Sequence, residues 1–131
     1  MKRTAFVLLA LLAACAGKPL EQSPPPLAGT RWVMVVGAGS DQRAPTLEIG
    51  ERRAAGFAGC NTWFASVSQQ GETLSFGIVG ATRMACAPEA MSLERDFVGA
   101  LGATRFASRD GERLLLLDID RRPLARFAPM R

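Results

Sequence analysis

The chain has 131 residues, of which 48% are hydrophobic and 21% are charged, and its formal net charge is +4. This length gives room for one domain, and the composition is that of a folded chain and not of a disordered one. Histidine and tyrosine are absent and the arginines are scattered, which excludes the usual general base of enzymes and argues against binding of nucleic acid, so we expect a non-catalytic protein without metal or cofactor.

Residues 1–14 have the pattern of a signal peptide. Lys2-Arg3 is positive, and the apolar run at 5–14 is too short for the roughly twenty residues that span a bilayer. Leu12-Ala13-Ala14-Cys15 resembles the bacterial lipobox, which implies a lipid such as palmitate on Cys15. Ala16 and not Asp follows the cysteine, and in this the chain resembles lipoproteins that are sorted to the outer membrane, so we expect it there with its domain facing the periplasm. The alternative is an ordinary signal peptide cut after Ala16.

The remaining cysteines, Cys60 and Cys86, have one possible pairing once Cys15 is lipidated. Disulfides persist in exported proteins, and closing a loop of about 26 residues would contribute roughly 3 kcal/mol. A redox or metal site is the alternative, but the chain has no Cys-x-x-Cys spacing and no histidine. We expect a structural disulfide.

After the lipidated cysteine, residues 15–26 with Pro24-Pro25-Pro26 predict an extended tether, and residues 27–131 form the domain. Period-two patterns and turn residues predict a series of strands: Thr30–Val36, Pro45–Ile49, Arg53–Ala58, Asn61–Val67, Thr73–Phe76 and Ile78–Met84. Pro45 places the second strand at a sheet edge. A bend is expected at Gly59-Cys60-Asn61, and a hairpin at Gln69–Glu72.

Pro88–Leu101 predicts the one clear helix. Ala90, Leu93, Phe97 and Leu101 recur at helical spacing, while Glu94, Arg95 and Asp96 fall largely off that face. Pro88 and Glu89 suit the first turn, and Gly102 supplies a stop. A lone helix of this length is marginal in water, so its apolar stripe should lie on a sheet.

The last part of the chain predicts a meander around the Asp110-Gly111 turn, with strands at Thr104–Ser108, Arg113–Asp120 and Pro123–Ala128. The predicted fold is mainly β with one α-helix: a small antiparallel β-barrel or curved sheet with a packed helix.

Three segments resemble the motifs of the META domain (HslJ-like) family: Gly56–Phe64 with its Gly-Cys-Asn, Gly80–Pro88 with Thr-x-Met-x-Cys, and Leu93–Phe97. The opening Leu27–Trp32 also fits, so the resemblance spans the domain. It implies a small β-rich domain, often exported or lipid-anchored, linked to stress and drug tolerance and without an established catalytic site. Family members often show a basic residue after Gly-Cys-Asn, where this chain has Thr62.

Trp32, Trp63 and Phe64 are the candidate binding surface if they are exposed together, the alternative being a place in the core. Asp118 and Asp120 are expected on one face of a strand. Such a pair of carboxylates more often forms a solvated surface than a metal site. We expect a monomer that binds the membrane through its lipid and an envelope protein or small ligand through its domain. The alternative is an inhibitor or accessory subunit of an envelope enzyme, presenting a loop such as Gly37–Arg43.

Overall fold

The computed structural model describes residues 24–131. The predicted signal peptide, Cys15 and most of the tether therefore lie outside the described residues. The elements in chain order are β1 Thr30–Met34, β2 Thr46–Ile49, β3 Arg53–Phe57, β4 Thr62–Gln70, β5 Thr73–Phe76, β6 Gly80–Ala81, α1 Pro88–Ala103, β7 Phe106–Asp110, β8 Arg113–Leu117 and β9 Pro123–Pro129.

The strands form one antiparallel sheet that closes on itself. Their order is β3-β2-β1-β9-β8-β7-β5-β4-β6, and β3 also pairs with β4, which completes a ring. The short strand β6 lies on β4 beside the ring, with Ala81 opposite Trp63 and Gly80 opposite Phe64. The predicted fold class is confirmed.

Alternation along the strands places the core inside the ring, because successive side chains of a strand point to opposite faces. In β4, Trp63, Ala65 and Val67 are buried, whereas Thr62 and Phe64 face outward. The interior is filled by apolar side chains from most of the strands, among them Leu47, Leu74, Leu114, Leu116 and Phe127.

Helix α1 covers this core where the ring is weakest. β5 and β7 share one paired position, Thr73 with Phe106, and α1 packs against β5, β8 and β9. The Phe97 ring meets the edges of Trp63 at 5.5 Å and Phe127 at 6.3 Å between ring centroids. The expected packing of the helix on the sheet is confirmed.

The expectation that β2 lies at an edge is wrong, since β2 pairs with both β1 and β3. Pro45 comes one position before the strand and contributes only its carbonyl, which accepts a hydrogen bond from the Met34 N–H at 2.8 Å. Its missing N–H therefore removes no bond of the ladder.

The helix also runs past its predicted stop. Gly102 is helical, and α1 ends at Ala103, where the Thr104 hydroxyl donates to the Ala100 carbonyl at 2.7 Å and the Thr104 N–H to the Leu101 carbonyl at 3.2 Å. Of the strand predicted at Ile78–Met84, only Gly80–Ala81 forms, because the segment that follows turns toward the Cys60–Asn61 bend.

Candidate functional site

Glu94 of α1 lies at the centre of the three motif segments. One carboxylate oxygen, Oε2, accepts the backbone N–H of Cys60 at 2.9 Å and that of Asn61 at 2.7 Å. The other, Oε1, accepts the side-chain amide of Asn61 at 2.8 Å. The carboxylate thus holds the bend between β3 and β4 against the helix.

Asn61 extends this network to the segment after β6. Its side chain is 3% exposed, and its Oδ1 accepts the Met84 N–H at 2.6 Å and the Thr82 hydroxyl at 3.0 Å. Its Nδ2 donates to the Met84 carbonyl at 3.3 Å as well as to Glu94. A single amide therefore joins the helix to residues 82–84, all of which are exposed.

The predicted disulfide joins Cys60 and Cys86, whose Cα atoms are 5.9 Å apart. Cys60 is buried in the bend, whereas Cys86 lies in the exposed segment. The bond and the Asn61 amide consequently hold the same segment at two neighbouring points.

Gly59 allows the bend to touch the helix. Its φ is +128°, and a Cβ there would lie 3.0 Å from the Glu94 N and 3.1 Å from the Ala90 O, which are backbone atoms. Any larger residue would combine an unfavourable φ with a contact that cannot easily give way.

The pKa of Glu94 reflects this environment. Partial burial raises the pKa, but the hydrogen bonds from the Asn61 backbone, the Asn61 side chain and the Cys60 backbone lower it by more. The net pKa lies below the ordinary value, so Glu94 is a charged acceptor at neutral pH and not a poised acid.

A groove of about 560 Å³ runs between β6 and α1 next to this network. Its lining is mainly apolar but includes Glu94 and Arg95; the other lining residues are Val79, Ala81, Met91, Val98 and Gly99. The size is that of a site for a small ligand or a short peptide segment.

One edge of β6 faces away from β4. The Thr82 N–H donates to the Thr62 carbonyl at 3.1 Å, so by the alternation of an antiparallel ladder Ala81, opposite Trp63, directs its N–H and C=O away from β4. Within residues 24–131 neither group has a hydrogen-bond partner. Ala81 also lines the groove.

Large apolar side chains are exposed in and beside this segment. Ile78 is 97% exposed and Met84 is 60% exposed, and Phe64, opposite Gly80, is 52% exposed. Trp32 and Trp63 are buried at 2% each, so the three aromatic residues singled out from the sequence do not form one exposed patch. The burial of the two tryptophans follows from strand alternation, which points them into the ring.

Asp118 and Asp120 do not share a strand face. β8 ends at Leu117, and Asp118 Oδ1 accepts the N–H groups of Asp120 at 2.8 Å and Arg122 at 2.9 Å within the following turn. Asp120 pairs with the Arg122 guanidinium at 3.0 Å. Residues 24–131 contain no cluster of three or more His, Cys, Asp or Glu side chains that could hold a metal ion.

Glu94 is not among the site residues predicted from the sequence. It follows Ala90 by four positions and precedes Phe97 by three, which is the spacing of the buried stripe itself. Charged residues ordinarily face solvent, so the residue type alone did not suggest that Glu94 is partly buried. Its spacing from Ala90 and Phe97 is the sequence signal that could have shown this.

The loop Gly37–Arg43 is largely exposed and connects β1 to β2. Arg43 covers the Phe57 ring at 4.2 Å from the guanidinium carbon to the centroid. The end of the loop is thereby attached to β3.

Residues 25–131 match the META domain family model. The chain is also similar to an NMR structure of a protein from Burkholderia xenovorans, with 22% identity, 99% of this chain and 98% of that chain covered, and a TM-score of 0.65. A second NMR structure is 21% identical to this chain and has a TM-score of 0.60, and the alignment covers 78% of this chain and 90% of the other chain. These likenesses support the fold. No curated protein matches significantly.

Among residues 24–131, the structure contains no helix with the length and apolar character needed to span a membrane.

Proposed function

The chain belongs to the META domain family, and we propose that it is a non-catalytic, lipid-anchored monomer of the bacterial outer membrane that acts in envelope stress or drug tolerance by binding. The lipobox at Leu12–Cys15 supports the anchor. The binding surface in this proposal is the groove between β6 and α1 with the adjoining segment 78–86.

The exposure of Ile78 is the observation that carries this proposal. A large aliphatic side chain that is 97% exposed gains nothing from the fold, and it adjoins Val79 at the start of an apolar groove. Contiguous exposed apolar surface on a small domain is typical of an interaction site. The disulfide and Asn61 hold the neighbouring backbone in place, which reduces the entropy lost on binding.

The state of two carboxylates, Glu94 and Glu72, supports a structural role for these groups over general acid catalysis. The pKa values of Glu94 and Glu72 are lowered, and both groups already accept hydrogen bonds from protein donors. General acid catalysis at neutral pH requires a raised carboxyl pKa.

Intact mass spectrometry of the detergent-extracted protein tests the anchor. The expected mass is that of a chain beginning at Cys15 with acyl groups attached, and Cys15→Ser should release the protein from the membrane fraction. A chain that begins at Gly17 without lipid would contradict the anchor.

Complementation of a deletion strain under envelope stress or drug exposure tests the binding surface. Met91→Asp puts a charge into the groove and should abolish complementation, whereas Met130→Asp, at an exposed methionine outside the lining, should complement fully. Both variants are checked for thermal unfolding and cellular amount. Full complementation by a folded Met91→Asp protein would contradict this surface.

The exposed loop Gly37–Arg43 favours a second candidate function, the inhibitor or accessory subunit of an envelope enzyme. An exposed loop with one end attached through Arg43 suits insertion into a partner. In this case Asp41→Lys should abolish capture of a stoichiometric hydrolase partner, and Met91→Asp should leave capture unchanged.

A further inference from the structure

We propose that the groove takes an extended polypeptide, which adds as a strand to the free edge of β6 and places apolar side chains against α1. This inference rests on the proposed function and names the chemical class of its partner. The partner segment is extended, apolar at alternate positions and acidic at one end.

The backbone of Ala81 selects a polypeptide over other apolar ligands. Its N–H and C=O point away from β4, have no partner in the described part of the chain, and border the groove. A strand laid antiparallel or parallel to β6 would supply one acceptor and one donor to these groups. A lipid chain would leave both unpaired.

The dimensions of the groove fit a short strand. Met91 and Val98 line it seven positions apart on α1, which corresponds to about 10 Å of helix at about 1.5 Å per residue. An extended chain covers that distance in about three residues at about 3.3 Å each. One or two side chains of the peptide would then face the groove, where Met91 can adapt to their shape.

The charges favour an acidic residue beside the apolar ones. The Glu94 carboxylate already accepts three hydrogen bonds within the protein. Arg95, which lines the groove, and the exposed Arg83, two positions after Ala81 in the chain, have no ion pair among residues 24–131. A carboxylate at the end of the bound segment would meet these guanidinium groups.

Titration of the purified protein with short peptides, followed by NMR, tests the inference. The probes are acetylated and amidated heptapeptides with glutamate at both ends and either valine or leucine alternating with threonine between them. We expect at least one to bind with a dissociation constant below about 1 mM, with the shifts centred on the amide of residue 81 and on Met91 to Val98.

Two N-methylated forms of the binding peptide separate strand addition from simple apolar filling. Methylation at one central residue removes a donor on the edge that faces β6, and methylation at the next residue removes one on the outer edge. One form should bind about tenfold more weakly and the other like the parent, since tenfold corresponds to about 1.4 kcal/mol, which is within the range for the loss of one hydrogen bond.

Ala81→Pro removes the N–H that faces the groove and should weaken peptide binding about tenfold, whereas Ala81→Ser keeps the N–H and should bind normally. Proline at an outward-facing edge position is compatible with the fold; if unfolding data show otherwise, the N-methylated peptides decide, because they leave the protein unchanged.

Equal affinity of the two N-methylated forms, or failure of both peptide series to shift residue 81, would overturn the inference. Concentration-dependent dimerisation that Ala81→Pro abolishes would also overturn it, since a second copy would then fill the edge. If these tests fail while Met91→Asp still abolishes complementation, the proposed function stands and the groove takes another class of ligand.

Discussion

The side-chain amide of Asn61 donates to the Glu94 carboxylate across 2.8 Å, and this bond connects residues 33 positions apart in the sequence. The same asparagine also binds Thr82 and Met84. One pair of side chains therefore fixes the helix, the bend after β3 and the segment after β6 relative to each other, and Glu94 also lines the groove.

Glu94→Gln should lower the free energy of unfolding by about 1–3 kcal/mol, the cost of leaving partly buried polar groups unsatisfied. The new NH₂ group would face the Asn61 NH₂, and Asn61 cannot rotate without losing the bonds from Met84 and Thr82. Urea unfolding measures the change. Asp96→Asn, which neutralises an exposed carboxylate on the same helix, is the control; an equal loss in both variants would contradict the role of Glu94.

The stability conferred by Glu94 should depend on pH. Because its pKa is lowered in the folded state, the contribution is complete above the unfolded value of about 4.3 and is lost as the pH falls through the lower folded value. Unfolding curves of the parent and of Glu94→Gln should therefore converge in acid. Glu72, whose pKa is lowered by its hydrogen bond with Arg121, is present in both proteins and cancels. A difference that is constant down to strongly acidic pH would contradict this assignment.

Local patterns were sufficient to predict most of the elements. The alternation that points Trp63 and Val67 inward is visible in the sequence, and so is the period that puts Phe97 on the buried side of α1. The Cys60–Cys86 pair could be predicted because these are the only two cysteines of the sequence besides Cys15, which the lipobox assigns to lipid attachment.

The unpredicted features depend on contacts between distant segments. β2 is not at an edge because β3 pairs with it on the side opposite β1, and the further pairing of β3 with β4 closes the ring; no local pattern encodes either pairing. Glu94 faces inward because the Gly59–Asn61 bend brings three hydrogen-bond donors to its carboxylate. The residue type alone would predict that this side chain faces solvent. The groove itself arises where β6 stops after two residues.

Removing the disulfide with Cys60→Ala and Cys86→Ala together should lower the free energy of unfolding by about 3 kcal/mol, since a loop of 26 residues would no longer be closed in the unfolded chain. Urea unfolding of the double variant measures this, and the parent protein under a thiol reductant should show the same loss. We also expect faster amide exchange at residues 82–86, because only the hydrogen bonds with Asn61 and Thr62 would then hold this segment. Unchanged stability and exchange would show that the hydrogen bonds suffice.

Two glycine-to-alanine changes should shift stability in opposite directions. Gly102 lies in the last turn of α1, and a methyl group added there would have no atom within 4 Å, so alanine should stabilise the protein by up to about 1 kcal/mol through the entropy of the unfolded chain. Gly59→Ala should destabilise it by about 1–3 kcal/mol, because φ is +128° and the new Cβ would press on the backbone of Glu94 and Ala90. Thermal and urea unfolding of both variants provide the measurement, each serving as the other's control. If Gly59→Ala left stability unchanged, the bend would not be packed against the helix, and the geometry of the Glu94 network would be incorrect.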